Sequence, residues 1–121
     1  MDSRTIRVAI VGLGFGKEFI PIYQCHPNAE MYAICQRTRE KLDEVGEIFR
    51  IATRYTDFAE LIADPCVDAV HINSPIHLHA SQSIAALRAG KHVACTVPAA
   101  TTVEECAAIV AAAKESGKNY M

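Results

Sequence analysis

What this chain of 121 residues lacks narrows its nature first. No apolar run reaches the ~18 residues needed to cross a bilayer, so no membrane-spanning segment is expected. No block of basic residues occurs and the net charge is −2, which removes the electrostatic footprint of a nucleic-acid surface. No C-x-x-C pair exists among Cys25, Cys35, Cys66, Cys95 and Cys106. Their odd count and irregular spacing predict reduced thiols used as small apolar residues, with no disulfide framework and no metal site. His77 and His79 are two residues apart, which on a helix points them in different directions. The leading Met1-Asp2-Ser3-Arg4 carries no apolar signal region, and the cytoplasm is the expected location. There is no internal repeat and no low-complexity segment.

What is present is a chain whose residues are half hydrophobic, long enough for one domain around one core. Its leading feature is Arg7-Val8-Ala9-Ile10-Val11-Gly12-Leu13-Gly14-Phe15-Gly16-Lys17. A short apolar run stops at three glycines on alternate positions. That is how a buried parallel strand turns sharply into a helix whose free N–H groups can hold a phosphate. Gly12 can adopt the angles of the turn, and Gly14, with no side chain, lets a diphosphate approach the main chain. Leu13 and Phe15 would offer their amides. The third glycine falls one residue early for G-x-G-x-x-G, and Lys17 stands in the last position, either touching a phosphate or facing solvent.

Strands and helices alternate along the rest. Strands are expected at 5–11, 29–35, 53–55, 67–73 and 91–95. Helices are expected at 15–26, with Pro21 inside as a kink, and at 39–49, capped by Thr38 and presenting Leu42, Val45, Ile48 and Phe49 as one stripe. Further helices are expected at 58–63, 77–89 and 103–116. Asp57 with Glu60, and Thr102 with Glu105, resemble capping boxes. Asn119-Tyr120-Met121 would begin another strand. This pattern predicts a Rossmann-type α/β fold: a doubly wound parallel sheet in three α/β/α layers, in the order three-two-one-four-five. Ligand should bind at the carboxyl ends of the strands, where the order reverses.

Three loops meet there. The first holds the diphosphate. The second, Gln36-Arg37-Thr38, stands where an acid would accept both hydroxyls of an adenosine ribose. Arg37 can pair a 2′-phosphate at two points and Thr38 can donate a hydroxyl, which favours NADP, with NAD second. In the other reading Arg37 faces solvent and Gln36 makes the ribose contact. The third, Asn73-Ser74-Pro75, follows a buried strand, with His79 in the next helical turn as a hydrogen-bonding residue or a base. His71 is expected in the core and His92 near the sheet edge.

Together these pieces resemble the N-terminal domain of the glucose–fructose oxidoreductase/inositol dehydrogenase (Gfo/Idh/MocA) family over nearly the whole chain. The likeness rests on the Val8–Gly16 opening, Tyr55-Thr56-Asp57, Asp64-Pro65-Cys66-Val67-Asp68-Ala69-Val70, Ser74-Pro75 with His79, and Ala89-Gly90-Lys91-His92-Val93. It implies that residues 1–121 bind a nicotinamide dinucleotide, and that a separate C-terminal half completes the site and drives oligomerisation. It implies hydride transfer to or from a sugar- or polyol-like alcohol or ketone. Two departures stand out. The family's Glu-Lys-Pro triplet is Thr96-Val97-Pro98 here, so Pro98 remains but the ammonium is gone. Val97 can neither donate a proton nor stabilise an alkoxide. The substrate half is also missing from this sequence, so the isolated domain is expected to bind dinucleotide weakly, to turn over nothing and to expose an apolar surface near the crevice through which copies could associate. The contrasting reading is a non-catalytic dinucleotide-binding or regulatory module.

Overall fold

The structure, a computed structural model, describes residues 4–121. The first three residues of the stretch read above as lacking a signal region lie outside the described residues. Five strands, β1 (Ile6–Val11), β2 (Ala29–Cys35), β3 (Thr53–Tyr55), β4 (Ala69–Ile72) and β5 (His92–Cys95), form one sheet in the order β3-β2-β1-β4-β5. Every pairing is parallel. The expected topology is therefore present. Beyond β5, Tyr120 bridges Val93 in parallel, and Cys95 N–H donates to the Met121 carbonyl at 2.9 Å, as a sixth strand would begin.

A parallel sheet must be covered on both faces, and the strands read as apolar for that reason. On one face Ile10, Met31 and Ile34 meet Leu13 of α1 (Leu13–Gly16), Ile20 of α2 (Ile20–Cys25), and Leu42 and Val45 of α3 (Arg39–Phe49). On the other, Ala9, Val11, Val70 and Ile72 meet Leu61 of α4 (Phe58–Ala63), Leu87 of α5 (His79–Arg88) and Ile109 of α6 (Val103–Ser116). A bulge in β2 shifts the register between Val8 and Ala9, so that Tyr32 packs on the second face.

From there the Tyr32 hydroxyl donates to Asp64 Oδ2 at 3.0 Å, and Tyr55 donates to the same oxygen at 2.6 Å. The Cys66 N–H donates to Oδ1, and the buried Lys91 ammonium donates to the Asp64 carbonyl. This carboxylate ties β2, β3 and the entry to β4 together. Asp68 does the same for β1, accepting from the Arg7 N–H at 2.8 Å and pairing with Arg7 and Arg4 side chains.

Several expectations are corrected. The helix placed at 15–26 starts earlier, at Leu13, and is broken by a 3-10 turn over Lys17–Phe19. Pro21 then falls in the first turn of α2, where its missing N–H costs no hydrogen bond. Strand 67–73 shortens to Ala69–Ile72, and helix 77–89 becomes a 3-10 turn over Ile76–Leu78 followed by α5. Thr38 occupies the cap position of α3, but its hydroxyl makes no capping bond. Ile48 is 65% exposed: six residues past Leu42, it lies about 120° round the helix from that residue, at the margin of the buried stripe. The two capping boxes form only in part. Asp57 accepts from Ala59 N–H and Thr102 from Glu105 N–H, while Glu105 reaches back to Thr101. All five cysteines are free thiols, Cys35 buried and Cys25 and Cys106 exposed.

Candidate functional site

The β1–α1 turn sits at the carboxyl end of the sheet. Gly12 has φ 85°, and a Cβ there would stand 2.5 Å from the Asn73 carbonyl oxygen. Only glycine satisfies both conditions. At Gly16 a Cβ would stand 2.7 Å from Ile10 Cγ2, so the third glycine serves the close packing of helix on strand. That role falls one residue early because the helix itself begins early. Gly14 is the opposite case: it is exposed, and a Cβ would meet nothing within 4 Å. The space beside it is open.

The Gly16 N–H is the first to close a helical bond, onto the Gly12 carbonyl at 3.1 Å. The Gly14 and Phe15 amides precede it, and a helix leaves such first-turn donors without an intrahelical acceptor. The Leu13 amide, in contrast, already donates to Gln36 Oε1 at 2.8 Å. Two amides of this turn, not three, remain for an anion. Behind the turn the Asn73 amide is buried with neither its nitrogen nor its oxygen partnered. Buried polar groups without partners are costly and uncommon away from ligand sites.

Next to the turn lies a cleft of about 380 Å³. Gly12, Gln36, Arg37, Ser74 and Pro75 line it, as the crevice reading expects. Val11, Cys35, Thr56, Asp57, Phe58, Leu78 and Gln82 also line it and were not foreseen. Thr56 to Phe58 follow β3, a fourth strand whose carboxyl end faces the crevice, and that position was the available signal. Burial, helped by the Asp57 charge, pushes the Cys35 thiol up to about 12, so it stays a neutral wall of the cleft. Lys17 lines a different groove, beside Glu44 and Phe49 of α3.

The loops after β4 and β5 are fastened together. Thr96 N–H and its hydroxyl both donate to the Ile72 carbonyl, at 3.0 and 3.1 Å. The His79 ring is 2% exposed, with Nε2 2.7 Å from the Ser74 carbonyl and Nδ1 2.8 Å from the Pro98 carbonyl. Both nitrogens are thus occupied by the two loops. The Ser74 hydroxyl donates to Gln82 Oε1. Val97 is 90% exposed, Phe15 59% and Ile76 50%. His71 is half-buried on the sheet beneath Phe19, with Nδ1 2.8 Å from the Tyr23 hydroxyl, and desolvation lowers its pKa. His92 lies on β5 toward the sheet edge, its Nδ1 accepting from the Asn119 N–H.

The turn, the cleft and the orphaned amide fit a molecule with a diphosphate and an adenosine end. Comparison with known proteins agrees. The family model "Oxidoreductase family, NAD-binding Rossmann fold" matches residues 6–121. The chain belongs to the Gfo/Idh/MocA oxidoreductase family. It is 39% identical over 104 residues to an uncharacterized oxidoreductase of Synechocystis sp., covering 85% of this chain and 28% of that protein. It is 32% identical over 113 residues to a scyllo-inositol 2-dehydrogenase (NADP(+)) of Bacillus subtilis, covering 93% of this chain and 34% of that one. Its fold superposes on scyllo-inositol dehydrogenase of Lactobacillus casei, solved with NAD(H) and scyllo-inositol, at a TM-score of 0.90 and 26% identity, over 98% of this chain and 36% of that one. This Gfo/Idh/MocA chain thus spans about a third of the length of such relatives.

Proposed function

We propose that this domain holds a nicotinamide dinucleotide so that its nicotinamide faces a sugar- or polyol-like alcohol or ketone in the whole protein. The observation that carries the reading is the pairing of an open, two-amide turn at Gly14 and Phe15 with the adjoining cleft. When bound, the nicotinamide accepts or returns a hydride. The chain's own residues do the positioning. Gly12, Gly14 and Phe15 seat the diphosphate. Gln36, Arg37 and Thr38 face the adenosine ribose. Asn73, Ser74, Pro75 and Thr96 form the floor toward the nicotinamide, with His79 and Pro98 holding that floor in place. The substrate class comes from the inositol dehydrogenases among the relatives.

NADP is the preferred coenzyme in this reading. No acid stands at Gln36 to repel a 2′-phosphate, and Arg37 is exposed at the cleft to receive it. Val97 cannot exchange a proton with a substrate hydroxyl, so in this reading a group other than Val97 carries that proton. Calorimetric titration of the domain with NADPH and NADH tests the assignment. Arg37→Ala should weaken NADPH by about 1–3 kcal/mol, the scale of a lost charge-assisted contact, and leave NADH nearly unchanged. Equal losses, or none, would overturn the NADP preference.

A further inference from the structure

We infer that Asp57 and Gln82 read the edge of the nucleobase, making this cleft selective for adenine over its deaminated counterpart. The inference rests on the dinucleotide reading above. Both residues line the cleft of about 380 Å³ that also holds Gln36 and Arg37. Each has one half of its polar group already committed. Asp57 Oδ1 accepts the Ala59 N–H at 3.0 Å as the cap of α4, and its other oxygen makes no hydrogen bond among the described residues. Gln82 Oε1 takes the Ser74 hydroxyl, which orients the amide and leaves Nε2 as a donor. The cleft therefore presents one fixed acceptor and one fixed donor between apolar walls at Phe58 and Leu78.

Adenine offers the complementary pair, an exocyclic amino donor beside a ring-nitrogen acceptor. Hypoxanthine replaces the amino group with a carbonyl oxygen. The ribose, held beside Gln36, would fix which edge atom meets which side chain, so that carbonyl would face the exposed Asp57 carboxylate. Neither group can then donate a proton to the other, so two acceptors face each other where adenine offers a donor.

The test compares NADH with nicotinamide hypoxanthine dinucleotide (reduced) by calorimetry on the 121-residue domain. NADH should bind several-fold more tightly. Asp57→Asn keeps a good helix cap and supplies an amide that can accept or donate, so it should bring the ratio close to one at an unchanged melting temperature. Asp57→Ser, another good cap but too short to reach, provides a second variant with the same expected loss of discrimination. Equal affinity for the two nucleotides in the unaltered protein, or full discrimination surviving in both variants, would overturn the inference while leaving dinucleotide binding intact. Binding of neither nucleotide would instead overturn the dinucleotide reading itself.

Discussion

Three glycines in one turn perform three different tasks, and substitution separates them. At Gly14 a side chain meets open space, so Gly14→Val should fold normally yet lose NADH and NADPH alike, since the valine fills the approach to the free amides. At Gly12 a side chain meets the Asn73 backbone at positive φ, so Gly12→Ala should lower the melting temperature before any binding question arises. Thermal melts and calorimetry on the pair distinguish these outcomes. Normal nucleotide affinity in Gly14→Val would place the diphosphate elsewhere. The turn conformation at Gly12 was legible in the sequence because a strand ending at a glycine is a local signal. The engagement of the Leu13 amide by Gln36 was not, because it joins positions 23 residues apart. Asp57 and Gln82 escaped for a similar reason: only the folded sheet brings the loop after β3 beside α5.

At the scale of elements, apolar periodicity and caps located β2, α3, β3, α4 and α6 at their observed bounds. The reading failed where backbone chemistry overrides periodicity. Pro21 cannot continue a helix from Gly16, so a 3-10 turn intervenes. At the start of β4 the Val67 N–H is taken up by the Asp64 carbonyl in a turn, while Asp68 and Asn73 on either side of the strand still donate to the Arg7 and Val11 carbonyls of β1. Two threonines at helix starts look alike in sequence but differ in use. Thr102 accepts the Glu105 N–H at 3.1 Å, whereas the Thr38 side chain caps nothing. Thr102→Ala should therefore cost about 1 kcal/mol in urea denaturation, and Thr38→Ala should cost much less. Equal losses would mean that the observed capping bond contributes nothing beyond the residue type.

For the molecule as a whole, two carboxylates join separate strands. Burial alone would raise the Asp64 pKa, but hydrogen bonds from Tyr55, the Cys66 N–H and Tyr32, with the Lys91 charge, bring it below the usual value. Asp68 follows the same logic: burial raises it, and the Arg7 N–H, the Arg7 guanidinium and Arg4 more than reverse that. A carboxylate whose folded pKa is depressed stabilises the fold above its unfolded value, about 4, and that contribution is lost as pH falls through the folded value. The domain should thus lose stability as the pH falls below about 4. Asp64→Asn should be less stable at neutral pH and show a shallower decline on acidification, as measured by urea midpoints between about pH 6 and 3. A parallel decline in both proteins would remove Asp64 from the acid response. The same tie pushes the Tyr55 hydroxyl up to about 12, so the phenol remains a donor throughout the neutral range.

The Gln36 side chain reaches across to the Leu13 main chain, so the segment proposed to distinguish one coenzyme from another also braces the turn proposed to grip the diphosphate. Arg37, one position along, braces nothing of the kind among the described residues. If Arg37 sets coenzyme preference as proposed, that preference can be re-engineered at position 37 with little disturbance, whereas position 36 is constrained by its bond to Leu13. Changes there would alter the strength of the whole embrace along with its selectivity.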